Sequence, residues 1–226
     1  MVKSVAMNVY CLNISSMTNL EYNFFREKIS EERKIKAEAF YFSIDAYRCV
    51  CAEMLLKYCI GQKYPKTNYK LTYNKYGKPE LEGKEFYFNI SHSGNWVVLA
   101  NGKTEVGVDI ELIKTGREKT LISVFTEHEK KYIYKVHGLE REKRLTRIWT
   151  MKESYLKYIG TGLFTEMKSF TADTNNKGIL DENQEIIDDL VVNSCLLEPE
   201  YYLSICCADE NVEIEFVSLQ ELMGMF

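Results

Sequence analysis

The 226-residue sequence has no apolar run long enough for a signal peptide or a membrane-spanning helix. Its first ten residues alternate polar and apolar side chains instead, and residues 4–12 are predicted to form a strand. With 46% hydrophobic and 27% charged residues, the composition is that of an ordinary globular protein with enough apolar mass for a core. We therefore expect a cytoplasmic protein with no membrane association, folded as one large domain or two small ones.

Excess positive charge is absent as well. The 29 Lys and Arg residues against 33 Asp and Glu residues give a net charge of −4, which gives no support to nucleic-acid binding. The seven Cys residues are odd in number and lack the pair-of-pairs spacing of structural zinc sites. We interpret them as reduced, buried thiols of a cytosolic protein. The sequence also has no low-complexity segment and no clear short repeat.

The most informative stretch is residues 149–157, with the sequence WTMKESYLK. Helical spacing places Trp149, Glu153 and Lys157 on one stripe, next to an apolar stripe. A carboxylate one turn before an ammonium is equally consistent with a surface ion pair. Lys152, however, projects into the apolar stripe, where a charge needs a partner. The pattern therefore suggests an anionic ligand or a metal beside this helix.

Residues 86–93, FYFNISHS, are predicted to form a strand that returns through a turn as the apolar strand 96–100. Alternation places His92 on the apolar face and Asn89, Ser91 and Ser93 on the opposite face. A histidine on an apolar face is usually a core residue. This one is one of only three in the chain and lies between two serines at a strand end, so these groups together could bind a phosphate.

The next strand, residues 106–111, carries two carboxylates. Asp109 and Glu111 lie two residues apart on the face that also carries Gly107, roughly 6.5–7 Å apart along the chain. Two such carboxylates can converge on one Mg²⁺ ion, and we expect Gly107 to leave open space on that face. The alternative is an edge strand with a solvated acidic face.

Three basic residues on the helices of the first half are candidates for binding an anion. Ser30 is a plausible N-cap for a helix that carries Arg33 and Lys36, which on their own indicate a solvated basic face. Arg48 lies near the start of the helix predicted for residues 43–61. A cation at a helix start opposes the macrodipole, which hints at an anionic partner.

The second half contains further helix signals and then strands. Thr126 and Glu129 have the spacing of a capping box, which predicts a helix ending near residue 136 and gives Glu129 a structural explanation. Gly138 is expected to end that helix. Residues 201–208 and 212–219 are predicted to be framework strands without chemistry. A weak similarity between residues 89–100 and 201–208 is consistent with a duplicated fold.

Taken in their order along the chain, the motifs resemble those of the 4′-phosphopantetheinyl transferases of the surfactin-synthetase-activating (Sfp) type. The resemblance covers nearly the whole chain and rests on Arg48, Gly77–Pro79, Asn89–Ser93, Gly107–Glu111 and Trp149–Lys157. It implies an α+β fold of two similar α/β halves in a pseudo-twofold arrangement, acting as a monomer. Residues 1–103 are expected to form the half that binds the nucleotide of coenzyme A, and residues 104–226 the half with the metal and the catalytic helix.

The resemblance also implies an activity. Enzymes of this family transfer 4′-phosphopantetheine from coenzyme A to a serine of an acyl or peptidyl carrier protein. They use Mg²⁺ and release adenosine 3′,5′-bisphosphate. Coenzyme A and a carrier protein are therefore the expected partners, and the sequence leaves the type of carrier open.

Carried over by position, the resemblance implies a role for each site residue. Asp109, Glu111 and Glu153 are the implied metal ligands, and Lys157 is the catalytic lysine that meets the pyrophosphate. Glu153 is the first candidate for the base that deprotonates the carrier serine, and Glu129 is the second. The implied coenzyme A contacts are Arg48 and His92 at the 3′-phosphate with Arg33 and Lys36 nearby, Lys78 and Pro79 on the adenine side, and Ser91 beside the pyrophosphate.

Two functions remain as alternatives to the transferase. One is a Mg²⁺-dependent phosphohydrolase of coenzyme A or a nucleotide, and the other is a non-catalytic module that binds coenzyme A or a carrier. A basic loop with Lys114, Arg117 and Lys119 is either a docking patch for an acidic carrier or a solvated loop.

Overall fold

The structure is a computed structural model that describes residues 7–63, 69–83, 86–208 and 211–226. Residues 1–6, which include the predicted start of the first strand, lie outside the described residues. The strands in the described ranges are β1 Met7–Asn13, β2 Leu71–Tyr73, β3 Pro79–Leu81, β4 Tyr87–Ser93, β5 Trp96–Gly102, β6 Val106–Leu112, β7 Thr171–Asp173, β8 Gly178–Leu180, β9 Val191–Glu198, β10 Tyr201–Cys207 and β11 Val212–Val217. The α-helices are α1 Asn19–Arg26, α2 Glu31–Glu38, α3 Ser43–Lys63, α4 Glu118–Leu121, α5 Glu127–Tyr134, α6 Gly138–Ile159 and α7 Leu219–Gly224.

The same unit of a strand, a long helix and a hairpin occurs twice. In the first half β1, α3, β4 and β5 give three antiparallel strands in the order β1-β5-β4. In the second half β6, α6, β9 and β10 give the equivalent order β6-β10-β9, again antiparallel. The predicted α+β fold of two similar halves is confirmed. The weak sequence similarity compares residues 89–100, which form most of β4 and β5, with residues 201–208, which contain β10, the counterpart of β5.

The two sheets pack face to face. Val9 and Val98 of the first sheet form one buried cluster with Val108, Leu203 and Ile205 of the second. The outer face of the first sheet packs on α3, and the outer face of the second packs on α6. Alternation within β6 therefore directs its valines and isoleucine to the centre and Gly107, Asp109 and Glu111 toward α6.

The end of the chain departs from the expected division at residue 103. β11 pairs in parallel with β1 and extends the first sheet to the order β11-β1-β5-β4. Leu219 and Leu222 of α7 are buried in the core of the first half. The last strand and helix therefore belong structurally to the N-terminal half, although they follow the second unit in sequence.

Local signals explain where several helices begin and end. Ser30 caps α2 through a hydrogen bond from the backbone N–H of Arg33, and Thr126 and Glu129 form the predicted capping box of α5. Gly138, predicted to end α5, instead begins α6, with a φ of 58°. Its lack of a Cβ allows this left-handed conformation at the sharp connection between the two helices.

The described cysteines are all free thiols. Six are buried as predicted, whereas Cys195 on the edge strand β9 is exposed, which corrects the expectation for that residue. Within the described ranges, no helix has the length and apolarity needed to cross a membrane.

Candidate active site

The close approach of α6 to β6 creates the centre of the site. A Cβ atom added to Gly107 would lie 1.9 Å from the backbone O of Ser154 and 2.4 Å from the backbone N of Tyr158. The space above Gly107 is therefore filled by helix backbone, which corrects the expectation of open space on this face. The contact places the segment of α6 that carries Glu153 and Lys157 over the acidic residues of β6.

Asp109 lies at the centre of a buried polar cluster. The Nζ atom of Lys157 donates to Oδ1 of Asp109 over 2.7 Å, to the carbonyl O of Val108 over 3.1 Å and to Oγ of Ser91 over 3.0 Å. Ser91 in turn donates its hydroxyl hydrogen to the same Oδ1 over 2.8 Å. Burial raises the pKa of Asp109, and the ammonium of Lys157 opposes this shift. The cluster combines residues from β4, β6 and α6.

Glu111 is held by two donors. The hydroxyl of Ser93 donates to Oε2 over 2.9 Å, and Nη1 of Arg117 donates to the same atom over 3.1 Å. Nη2 of Arg117 lies 3.5 Å from Oε1, so the guanidinium spans both carboxylate oxygens. Arg117, considered above as part of a docking patch, is thus directed toward the acidic residues of β6.

Glu153 completes the acidic neighbourhood. Burial, together with the negative charges of Asp109 and Glu111, raises the pKa of Glu153 to about 7, against the opposing ammonium of Lys157. Across the part of the chain that the structure describes, no group of three or more His, Cys, Asp or Glu side chains is arranged to hold a metal ion. The three carboxylates therefore influence one another electrostatically without forming a closed cage.

One atom in this neighbourhood lacks a protein partner. Oδ2 of Asp109 is buried and makes no hydrogen bond to any described residue. A buried carboxylate oxygen without a donor is costly, and a hard cation is the kind of ligand that would satisfy it. The chemistry of the three carboxylates, all oxygen donors, fits Mg²⁺.

A cavity of about 860 Å³ lies in the N-terminal half beside α2 and α3. Four of the predicted coenzyme A residues line it, namely Arg33, Lys36, Pro79 and His92. Further lining residues that the sequence analysis did not identify are Glu53, Lys57, Tyr69, Lys70 and Tyr73. The cavity thus combines several cations with aromatic and apolar surface, which suits an anionic nucleotide.

Glu53 is the most informative of the lining residues that sequence reasoning missed. It is buried, and its carboxylate accepts hydrogen bonds of 2.8 Å from both the backbone N–H and the hydroxyl of Ser30. Nε of Arg33 lies 3.7 Å and Nζ of Lys57 lies 3.3 Å from its oxygens. An acid on α3 therefore fixes the start of α2 and orients Arg33. Its position among the apolar residues of α3 was the only available signal.

His92 and Arg48 lie close together at the end of β4. Desolvation by the cavity walls lowers the pKa of His92, although the residue is exposed, and the positive charges of Arg48 and Lys157 lower it further. Arg48 donates from Nε to the carbonyl O of Gly94 over 2.9 Å and from Nη1 to Oδ1 of Asp45 over 2.7 Å. Arg48 is therefore anchored to the β4–β5 turn and acts near His92 through its charge.

Lys78 is not placed as the adenine assignment expected. Its ammonium forms an ion pair of 2.7 Å with Glu105 and donates to the carbonyl O of Tyr158 over 3.2 Å. Pro79 and Gly77 of the same turn do line the cavity. Lys78 therefore joins this turn to the C-terminal end of α6, whereas its neighbours line the cavity.

Glu129 does not lie where a base could meet a substrate. It has no exposed surface and pairs with Lys152, which is equally buried, over 2.7 Å. The position of Lys152 in the apolar stripe suggested an external ligand, and the structure corrects this because the partner of Lys152 is Glu129. The second candidate base is thus a structural residue, whereas the first candidate, Glu153, lies near Asp109 and Glu111.

Comparison with protein families gives two matches that follow each other along the chain. Residues 16–104 match the model described as 4′-phosphopantetheinyl transferase, N-terminal, and residues 105–206 match that of the 4′-phosphopantetheinyl transferase superfamily. The chain belongs to the 4′-phosphopantetheinyl transferase superfamily, and the predicted resemblance is confirmed.

Similar proteins cover most of the chain. The 4′-phosphopantetheinyl transferase gsp of Aneurinibacillus migulanus is 31% identical over 91% of this chain and 88% of its own length. The 4′-phosphopantetheinyl transferase psf-1 of Bacillus pumilus is 32% identical over 82% and 83% of the two chains. The 4′-phosphopantetheinyl transferase Sfp of Bacillus subtilis (strain 168) is 28% identical over 96% of this chain and all of its own, 100%.

Proposed function

We propose that this protein binds coenzyme A in the cavity beside α2 and transfers its 4′-phosphopantetheine group to a serine of an apo acyl or peptidyl carrier protein. The observation that carries the proposal is the position of the basic cavity next to the Asp109 cluster. His92 on the cavity wall and Ser91 in the cluster are consecutive residues of β4 and face opposite sides of it. Membership of the transferase family supports the same reaction.

Coenzyme A carries a pyrophosphate and a 3′-phosphate, and these need separate cationic groups. Arg33, Lys36 and His92 line the cavity and supply the 3′-phosphate site, with Arg48 adding charge beside His92. A guanidinium offers two parallel hydrogen bonds to a phosphate, whereas an ammonium acts as a point charge. Lys157, on the other side of β4, meets the pyrophosphate. Pro79 forms the adenine side of the cavity.

Asp109, Glu111 and Glu153 would hold a Mg²⁺ ion. The fit rests on their shared electrostatic neighbourhood and on the buried Oδ2 atom of Asp109, which has no partner among the described residues. When bound, Mg²⁺ neutralises charge that develops on the pyrophosphate oxygens.

The remaining steps use the side chains of the chain itself. Glu153 accepts the proton of the carrier serine. The serine oxygen forms a bond to the phosphorus of the phosphopantetheine group. The bond from that phosphorus to the bridging oxygen breaks, and adenosine 3′,5′-bisphosphate leaves with the electron pair. Lys157 stabilises the developing negative charge.

The partners and location follow from the same proposal. The net charge of −4 argues against nucleic acid as a partner, and we propose a monomer that acts in the cytoplasm. No observation favours the phosphohydrolase, and the relatives named above are transferases. A panel of carrier proteins identifies which type of carrier is modified.

The transfer is tested by incubating the protein with coenzyme A, Mg²⁺ and apo carrier proteins from fatty-acid, polyketide and non-ribosomal peptide systems. At least one intact carrier should gain the mass of one phosphopantetheine group. A matched carrier in which the acceptor serine is replaced by alanine, and a sample with a chelator, should gain nothing. A panel without any mass increase contradicts the proposal, and bisphosphate release without a carrier would favour the phosphohydrolase.

A further inference from the structure

Beside the face-to-face contact of the two sheets, β4 of one half lies next to β6 of the other, and no backbone ladder joins these two strands. β4 is the outer strand of the first sheet and β6 is the outer strand of the second. Side chains of β4 instead accept hydrogen bonds from the N–H groups of β6. Val108 N–H donates to Oδ1 of Asn89 over 2.9 Å, Ile110 N–H to Oγ of Ser91 over 3.3 Å and Leu112 N–H to Oγ of Ser93 over 3.1 Å. We call these three side chains the seam.

The seam has the period of the strands on both sides. Asn89, Ser91 and Ser93 alternate along β4, and their partners alternate along β6 with the same step. Each side-chain oxygen therefore accepts a hydrogen bond from a β6 N–H group that a carbonyl of a neighbouring strand would otherwise accept. The register between the two halves is set by these side chains.

Two seam residues also hold the acidic side chains. Ser91 donates to Asp109 and Ser93 donates to Oε2 of Glu111 over 2.9 Å, while each hydroxyl accepts from the next N–H along β6. A hydroxyl has one hydrogen to donate. That of Ser91 is used by Asp109.

We propose that Ser93 is a positioning residue that aligns Glu111 for the divalent ion by joining its carboxylate to the β6 backbone. The proposal rests on the magnesium site of the proposed function. One hydroxyl fixes both the strand and the side chain, because it accepts from Leu112 N–H and donates to the Glu111 carboxylate. Ser93 is buried, so solvent does not readily replace either bond.

The test compares Ser93→Ala with Ser93→Thr, which keeps the hydroxyl. Free Mn²⁺, used as the probe for a Mg²⁺ site, is titrated with each full-length protein and measured by electron paramagnetic resonance. Loss of a hydrogen bond to a metal ligand typically costs about 10- to 100-fold in affinity, so Ser93→Ala should raise the dissociation constant by that factor. Ser93→Thr should bind Mn²⁺ like the wild type, and both variants should bind coenzyme A unchanged without metal.

A second measurement separates this inference from the magnesium site itself. Hydrogen exchange at the Leu112 amide should become faster in Ser93→Ala and remain unchanged in Ser93→Thr. If the wild type binds no Mn²⁺, the magnesium site is wrong and the metal-aligning role falls with it, while the exchange data still report on the seam. Wild-type affinity for Mn²⁺ in Ser93→Ala, or equal losses in both variants, would overturn the positioning role. If Ser93→Ala does not fold, Ser93→Cys, whose thiol is a weak donor and acceptor, replaces it with the same expected outcomes.

Discussion

Nζ of Lys152 donates a hydrogen bond of 2.7 Å to Oε1 of Glu129, and neither side chain has exposed surface. The ammonium also donates to the carbonyl O of Phe170 over 2.6 Å. Glu129 in turn accepts from the N–H groups of Thr126 and Ala172. The pair therefore joins α5, α6 and the start of β7, and so supports the helix that carries Glu153 and Lys157.

Removing one partner of this pair should be costly. Lys152→Met should lower the free energy of unfolding by about 3–5 kcal/mol, because it leaves the Glu129 carboxylate buried without a counter-charge. The midpoint of urea unfolding measures this. The double variant Lys152→Met/Glu129→Gln should recover part of the loss, since a neutral amide oxygen still accepts from the backbone. A Lys152→Met protein as stable as the wild type would contradict the structural role of the pair.

The contact at Gly107 predicts a second destabilising substitution. Gly107→Ala places a Cβ atom 1.9 Å from the backbone O of Ser154, and backbone atoms of a helix cannot move aside as a flexible side chain can. We expect a loss of about 1–3 kcal/mol, or more, with displacement of α6. Gly224→Ala is the matched control, since a Cβ there has no neighbour within 4 Å. Thermal melting of both variants should show a loss for the first only; equal melting temperatures would contradict the close contact.

Features encoded within a few residues of sequence were predictable. The cap at Ser30, the capping box at Thr126 and the alternation that directs Asp109 and Glu111 to one face are all found in the structure. Each depends on hydrogen bonds or periodicity within a single element. The side-chain alternation of β4 was also correct, and both of its serines accept hydrogen bonds from β6. Phosphate binding by these residues stays a prediction.

Features that depend on how elements cross were not predictable. Lys152 and Glu129 are 23 residues apart in sequence, and Lys78 meets Tyr158 at a separation of 80 residues. A pattern shows that a buried lysine needs a partner but does not identify which acid approaches it. The prediction of open space beside Gly107 was wrong for the same reason. A glycine is equally consistent with open space and with the close approach of a helix. Asp109 and Glu111 were identified from their alternation on the strand, whereas nothing in the sequence showed that Arg117 of the basic loop contacts Glu111.

His92 predicts how coenzyme A affinity depends on pH. Its pKa is lowered in the free protein, and a bound phosphate raises it, so binding takes up a proton. The contribution of His92 is therefore present at low pH and is lost as the pH rises through the pKa of the complex. A shift of one pKa unit corresponds to about tenfold in affinity. The ratio of dissociation constants of His92→Asn and wild type should be largest at the lowest pH tested and should fall toward one at high pH.

Calorimetric titration with coenzyme A at each pH measures this ratio. Comparing the two proteins at the same pH removes the titration of the phosphate itself. The ratio for 3′-dephospho-coenzyme A should stay near one throughout. A ratio for coenzyme A that does not change with pH would contradict the assignment of His92 to the 3′-phosphate.

Asp109→Asn should slow transfer strongly while leaving the fold intact. The amide oxygen can still accept from Ser91 and Lys157, but the uncharged side chain is a poor ligand for Mg²⁺. A metal contributes several kcal/mol of charge stabilisation, so the transfer rate should fall by about 10²- to 10³-fold. The rate is followed by carrier mass, and the fold by near-ultraviolet circular dichroism. Asp173→Asn, at another buried acid, should transfer normally; unchanged turnover in Asp109→Asn would remove the metal assignment.

Removing the Arg117 side chain should strengthen metal binding, whereas Asp109→Asn should weaken it. Its guanidinium spans both oxygens of Glu111, so it competes with a divalent ion for the same carboxylate. Partly exposed pairs are worth about 0.2–1 kcal/mol, so Arg117→Gln should tighten Mn²⁺ binding by up to about fivefold. Lys119→Gln removes the same charge two residues away and should change the affinity less. Equal changes in the two variants would show that charge alone acts, and weaker Mn²⁺ binding in Arg117→Gln would show that Arg117 supports the metal site rather than competing with it.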